Sequence, residues 1–269
     1  MHFTFMTEFC TASLPAQAVR IFAGIFNEPD QPLFNVVPLY DWQASSLNIL
    51  KEVRRGKLDG TAILVHHCQY APTDGGEAAS RYASNMGRSA SHAVARDSLV
   101  LLAAAPAPAG GLWTKRAITS VGDLKGVRVC VFDFESGVLL RQLGAEPVTA
   151  DWCRARESIV AKEMDAVLCS GDEATSLSLS QHFRYFSAVR YPRSACALLI
   201  SARTFRRLSV TQQDAIRQAG RSVEYQLAAV APYQEQIIFE NLHNLGVHVD
   251  SRPAAELSAA FAGSPLVVA

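Results

Sequence analysis

The chain has 269 residues, 49% of them hydrophobic and 19% charged, enough for one large domain or two small lobes with sizeable cores and too apolar for a disordered chain. Its 25 lysines and arginines are balanced by 25 aspartates and glutamates, so no net field draws in nucleic acid or an anionic bilayer, and neither partner is expected. No apolar run approaches the roughly 20 residues that a membrane span needs.

In chain order, His2 to Phe9 reads as a strand and Pro15 to Phe26 as a helix, with Val19, Phe22, Ala23 and Phe26 on one face. Asn27 to Pro32 is a turn, Leu33 to Leu39 a second strand, and Trp42 to Arg55 a helix closed by Gly56. Thr61 to Val65 is a short buried strand. Strand, helix, strand, helix, strand argues for a parallel-type sheet with helices on its faces. Phe22, Phe26, Phe34 and Trp42 read as core.

Residues 71–91 are rich in Gly, Ser, Ala and Asn, with a helix possible from about Glu77. Asp97 to Ala104 is a strand, Ala105 to Gly111 a connector, Ser120 to Gly126 one helical turn and Val127 to Phe132 a strand. Asp151 is an N-cap for a helix to about Glu163, followed by a strand from Ala166 to Cys169. Cys196 to Ser201 is an apolar strand. Ser209-Val-Thr-Gln212 has capping-box spacing and opens a helix whose inner face is Ile216, Ala219, Val223, Leu227 and Val230. A separate helix from Gln234 to Leu245 stops at Gly246; a strand from Val247 to Val249 and a helix from Pro253 follow.

Ile118-Thr-Ser-Val-Gly-Asp-Leu-Lys-Gly-Val-Arg-Val129 resembles a segment of the substrate-binding subunits of TRAP transporters, the dicarboxylate-binding type. Leu143-Gly-Ala-Glu-Pro-Val148, Lys162-Glu-Met-Asp-Ala166, Ala197-Leu-Leu-Ile-Ser201 and Leu208 to Arg217 are similar to further segments of that family, as is Gly56-Lys-Leu-Asp59. The resemblance covers about Asp97 to Phe261 well and Phe3 to Val65 faintly. It implies a two-lobed α/β protein of the type II periplasmic-binding-protein class, with hinge strands and a ligand cleft between the lobes. Residues 1–105 would form the first lobe, with 196–235 returning to it. Residues 106–195 would form the second, with 236–269 packing on it. It also implies a periplasmic location, a small organic solute, transporter membrane subunits as partners and a monomeric state.

The family pattern places a ligand-gripping arginine where this chain has Cys130, and a thiol supplies no fixed positive fork. A two-residue slip would put Arg128 there, at the expense of the ungapped match from Asp123 to Gly126. The family's polar run after the following strand is replaced by Val167, Leu168 and Cys169. The same alignment puts Arg156 where the family often has an aromatic residue. Arg156 is therefore a candidate anion-binding residue near a helix N-terminus, or else a solvated arginine beside Arg154, or part of a structural ion pair. His66, in the triplet His66-His67-Cys68, is a candidate pocket residue at a strand end, a metal ligand sharing a face with Cys68, or an ordinary surface or packing histidine. Glu8, and likewise Asp172-Glu173, sit past strand ends and either hydrogen-bond a ligand or stay solvated.

The six cysteines, Cys10, Cys68, Cys130, Cys153, Cys169 and Cys196, form no CxxC pair, so no structural zinc site is expected and most read as small buried residues. No cofactor is called for. Nucleophile-elbow, phosphate-loop and H-E-x-x-H patterns are missing, which argues against an enzyme. The start, Met1-His2-Phe3-Thr4-Phe5, has no basic region leading into an apolar core, which leaves open a cytosolic chain or a removed leader. The reading is thus a solute-capturing protein of the TRAP type. The alternatives are a ligand sensor on the same fold, or an enzyme with Cys130 or Cys169 as nucleophile and His66 as base.

Overall fold

The computed structural model describes residues 2–7, 13–27, 34–41, 46–66, 98–108, 110–172, 179–192 and 194–262. Glu8, Cys10, Trp42, His67, Cys68, Glu173 and the helix expected from Glu77 lie outside them, as do the side chains of His66 and Cys153. The chain forms two compact units, residues 1–107 with 195–232 and residues 108–194 with 233–269.

In the first unit, β1 (His2–Thr7), β2 (Asn35–Tyr40), β3 (Gly60–His66), β4 (Leu99–Pro106) and β10 (Ser194–Ser201) make a five-stranded sheet in the order β2-β1-β3-β10-β4. β1 pairs in parallel with β2 and β3, whereas β10 runs antiparallel to β4. Every residue of β10 is buried because both faces of the sheet are covered. Cys196, Leu198 and Ile200 pack on one face with helix α1 (Leu14–Phe26), while Ala197 and Leu199 meet Ile49 and Val53 of α2 (Ser46–Arg55) on the other. The helical spacing of α1 places Phe22 and Phe26 inward, and the Phe3, Phe5, Phe22, Phe26 and Phe34 rings interlock with neighbouring centroids 4.9–5.2 Å apart. Ser13 starts α1 by accepting the Ala16 N–H, and Gly56, at φ +73°, ends α2 in the left-handed conformation that glycine adopts without strain.

After α5 (Ala202–Arg206), α6 runs unbroken from Val210 to Asn244 over 35 residues. The capping box is formed: the Ser209 N–H donates to Gln212 Oε1 at 3.0 Å and the Gln212 N–H to Ser209 Oγ at 3.2 Å. Two expectations are corrected here. The helices expected on either side of Pro232 are one, since the turns flanking the proline hold their own hydrogen bonds although Pro232 donates none. The inner stripe also stops at Leu227, and Val230 is 42% exposed at the end of the first unit.

Helix α6 lies hard against the free edge of β4. A Cβ added at Gly220 would come within 2.2 Å of the Leu102 carbonyl oxygen. One turn on, Glu224 Oε2 accepts the Ala104 N–H at 3.1 Å, satisfying an edge-strand donor that β10 does not reach.

The second unit holds a six-stranded sheet, β11-β9-β5-β8-β6-β7, built from β5 (Gly111–Thr114), β6 (Arg128–Val131), β7 (Glu146–Thr149), β8 (Ala166–Cys169), β9 (Tyr185–Ser187) and β11 (His248–Asp250). β6 is parallel to β7 and β8, and β5 is antiparallel to β8 and β9. Alternate side chains feed two cores. Leu112, Val129, Val131 and Leu168 pack with Leu139 and Leu140 of α3 (Phe134–Gln142) and with Leu257 and Phe261 of α7 (Ala255–Ala262). Trp113, Cys130, Val167 and Cys169 pack with Ala155 and Ile159 of α4 (Trp152–Val160), Phe183 and Leu242.

Candidate functional site

Open α/β sheets present ligands with the loops beyond the carboxyl ends of their parallel strands. In the second unit the loops after β6 and β7 are short and each one opens a helix. After β6, Phe132 leads into Asp133, whose carboxylate accepts the Ser136 N–H at 2.6 Å and the Ser136 hydroxyl at 2.7 Å to start α3. After β7, Asp151 accepts the Arg154 N–H at 2.9 Å and starts α4, the expected N-cap. After β8 come Ser170 and Gly171, with a Cβ at Gly171 blocked by Ile238 at 2.4 Å.

Phe132 and Trp152, both half-buried, stack across two of these loops with centroids 3.7 Å apart and planes 24° from parallel. Sequence reading missed this platform. The only local signal is one aromatic residue directly after a strand and another directly after an N-cap, and nothing in the sequence ties the two together.

Cys130 sits in mid-strand. The register puts Trp113, Val167, Cys130 and Val148 in one cross-strand row. Cys130 is 1% exposed, and burial pushes its thiol up to about 12. A buried thiol shifted in this direction is a poor nucleophile at neutral pH, which counts against Cys130 in the enzyme reading. Cys169 is buried beside Val167 in the same core cluster, and Cys196 is buried in the first unit. Arg156 lies exposed on α4, one turn past the cap, with Arg154 also exposed.

Arg128 is committed elsewhere, at the amino end of β6. Its guanidinium grips Asp165 in a two-point pair, Nε to Oδ2 at 3.0 Å and Nη2 to Oδ1 at 3.2 Å, with Lys115 Nζ 3.5 Å from Oδ1. The Arg128 hydrogen bond holds the Asp165 carboxyl below the usual carboxylate range. Nearby, Asp123 accepts N–H groups of Thr119 and Ser120, which hold its carboxyl down at about 2.

In the first unit the carboxyl ends of β1, β2 and β3 carry Thr7, Tyr40 with Asp41, and His66. The Thr7 hydroxyl is buried and has no hydrogen-bond partner among the described residues. Among the described residues, no three His, Cys, Asp or Glu side chains gather as metal ligands would.

Two α/β units, each wound round its own sheet and joined by a chain that leaves the first, builds the second and returns, make up the architecture of a two-lobed solute-binding protein. The chain belongs to the bacterial extracellular solute-binding proteins of family 7 (DctP), whose family model matches residues 57–267. The fold is also that of three solved structures. DctP7 of Bordetella pertussis, an extracytoplasmic solute receptor binding pyroglutamic acid, superposes with a TM-score of 0.85 at 18% identity, covering 97% of this chain and 92% of that one. A TRAP periplasmic solute binding protein from Sulfitobacter sp. NAS-14.1 with bound β-D-galacturonate gives 0.83 at 14% identity, covering 97% and 92%. One from Desulfovibrio salexigens with bound orotic acid gives 0.84 at 14% identity, covering 97% and 89%. No curated protein sequence matches the chain. Proteins of this family are solute receptors rather than enzymes, and no helix among the described residues is long and apolar enough to cross a membrane.

Proposed function

We propose that this protein is a periplasmic, monomeric receptor that captures a small organic acid, or a less polar relative of one, and delivers it to the membrane subunits of a TRAP-type transporter. The family match over residues 57–267 carries the reading. The ligands held by its three structural relatives, pyroglutamic acid, galacturonate and orotic acid, supply the chemical class.

The site would lie at the carboxyl ends of the strands. In the second unit the Phe132–Trp152 stack offers a flat apolar wall, and Arg156, four residues on from Trp152 along α4, offers a cation. Cys130 takes the place of the family's arginine. Being buried and protonated, it supplies packing rather than charge, as do Val167 and Cys169. Glu8 and His66 are the candidate residues of the first unit. Such a site holds a carboxylate with less electrostatic help than a guanidinium fork gives, which favours a ligand with a substantial apolar or planar body. A sensor built on the same fold would share the ligand and lack the transporter. The burial of Cys130, the residue the sequence resemblance sets in place of a cationic clamp, favours it.

The test is calorimetric titration of the purified protein with pyroglutamate, galacturonate, orotate and neutral aromatic compounds. Binding of an acid that weakens about tenfold in Arg156→Ala supports both the class and the residue. Binding that the variant leaves unchanged removes Arg156 from the site. Failure of every acid and neutral ring to bind overturns the capture reading.

A further inference from the structure

The opposite edge of the second unit's sheet carries a separate cavity. It has a volume of about 280 Å³ and is lined by Thr114, Lys115, Arg116, Ile118, Lys125, Gly126, Val127 and Asp165. These residues sit at the amino ends of β6 and β8 and at the far end of antiparallel β5, away from the Phe132–Trp152 stack. The volume is close to the lower limit of small-molecule sites, roughly 300 Å³, and suits one small ligand.

Three cations face one carboxylate there, and that carboxylate is already engaged. Asp165 has Arg128 on both oxygens, at 3.0 and 3.2 Å, so the two charges offset one another. Lys115 reaches Asp165 with one proton at 3.5 Å and keeps its other donors. Arg116 places one Nη2 proton on the Asp123 carbonyl oxygen at 3.2 Å, which fixes the guanidinium plane while leaving its remaining donors available. Lys125 has no carboxylate within ion-pair distance among the described residues. The other acids nearby keep their charge but do not line the cavity: Asp123 accepts the neutral Thr119 and Ser120 groups, and Glu146 and Glu163 lie in the field of Arg128.

The frame is built rather than loose. Thr114 Oγ1 donates to the Arg116 carbonyl at 2.6 Å and pins the bend that presents Lys115 and Arg116. The turn bearing Lys125 is closed by the Val127 N–H on Leu124 O at 3.0 Å and the Gly126 N–H on Gly144 O at 2.9 Å, with Gly126 at φ +70°. Buried Ile118 and Val127 give the cavity an apolar floor, which excludes water beneath a bound ion and strengthens the charges above it.

We propose that this cavity is a second binding site, distinct from the solute site, for a small dianionic oxyanion of the phosphate class, held by Lys115, Arg116 and Lys125. A multivalent oxyanion matches both the spread of donors and the net positive charge of the lining residues, which a monocarboxylate would only partly offset.

The experiment is a titration of the isotope-labelled protein with inorganic phosphate at constant ionic strength, followed by backbone amide NMR. A parallel arm uses glycerol 3-phosphate. Saturable shifts confined to residues 114–118 and 125–127, weakened about tenfold in Lys125→Gln and again in Arg116→Gln, support the site. Both side chains are exposed, so the variants keep the fold, and an unchanged spectrum elsewhere verifies it. Tighter binding of glycerol 3-phosphate assigns the site to a phosphate ester, and tighter binding of phosphate to the free ion. Shifts that do not saturate, that scatter over the surface, or that persist unchanged in Lys125→Gln overturn the proposal. An organic acid bound at the carboxyl edge leaves this readout untouched, so the two sites fail or stand separately.

Discussion

Glu224 makes a contact whose removal is measurable and whose sign depends on how it is removed. The Ala104 N–H points off the free edge of β4, and Glu224 Oε2, at 3.1 Å, is its acceptor. Glu224→Ala leaves that buried donor unmet, a loss of about 1–3 kcal/mol. For a chain of this size each kcal/mol moves the midpoint by roughly 2–4 °C, so the first unit should melt about 2–12 °C lower at pH 7. Glu224→Gln keeps a carbonyl oxygen in place and should not show that loss. Burial raises the Glu224 pKa, outweighing the lowering by the Ala104 N–H, so the folded state retains the proton to higher pH than the unfolded chain does. Below the unfolded value, about 4.3, both states are protonated and the raised pKa is fully favourable to folding; that contribution is lost as pH rises through the folded value. Relative to wild type, Glu224→Gln therefore gains stability as pH rises from about 4 to 8. Circular-dichroism melts across that range decide the matter. An alanine variant that melts with wild type at pH 7, or a glutamine variant as damaged as the alanine one, refutes the edge-capping argument.

Gly220→Ala drives a Cβ to 2.2 Å from the Leu102 carbonyl oxygen. The overpacking, about 1–3 kcal/mol, outweighs the roughly 1 kcal/mol that alanine gains in a helix, and a lower denaturant midpoint should report it. Iodoacetamide at pH 7.5 should leave Cys130 unmodified in the folded protein and label it in denaturant, because its thiol stands at about 12; peptide mass spectrometry showing equal labelling in both states counts against its burial. Arg128→Ala releases Asp165, whose lowered pKa contributes stability above the unfolded value of about 3.9 that disappears as pH falls. The pair is partly exposed, so the loss at pH 7 should be small and should shrink further as acid protonates Asp165, as paired urea titrations would read.

Where one local pattern decides an element, the sequence was enough. The apolar run Ala195 to Ile200 of β10, the Asp151 cap and the Ser209–Gln212 box each specify a short stretch on their own. The chain stops at Gly56 and Gly246, both at positive φ, were equally readable. The strands β5, β7 and β9 were not, because three or four residues cannot display a period and their pairing partners lie far along the chain. Helix α3 was hidden by Ser136 and Gly137 near its start, and Asp133 holds it in place through the 2.6 Å cap. At the site, residue types were legible and surroundings were not. Cys130 and Cys169 read as cleft lining in the sequence; the sheet register sets Cys130 in a row with Trp113, Val167 and Val148, and Cys169 joins the same buried cluster. Arg128 could be read as a clamp until its partner appeared 37 residues away at Asp165.

The place of β10 between β3 and β4 sets the order in which this protein can be completed during synthesis. By the time residue 107 has been made, every other strand of that sheet exists, yet β3 and β4 have nothing to join them. The chain must then grow by the roughly 90 residues of 108–194 before the missing strand begins, about 5–20 s at ordinary rates of elongation. Throughout that interval two strand edges stand open. The strand that closes them is apolar on both sides, so it is the segment most in need of shielding once it emerges. Slower translation or weaker chaperone cover over that window should lower the yield of soluble protein without changing the stability of the molecules that finish.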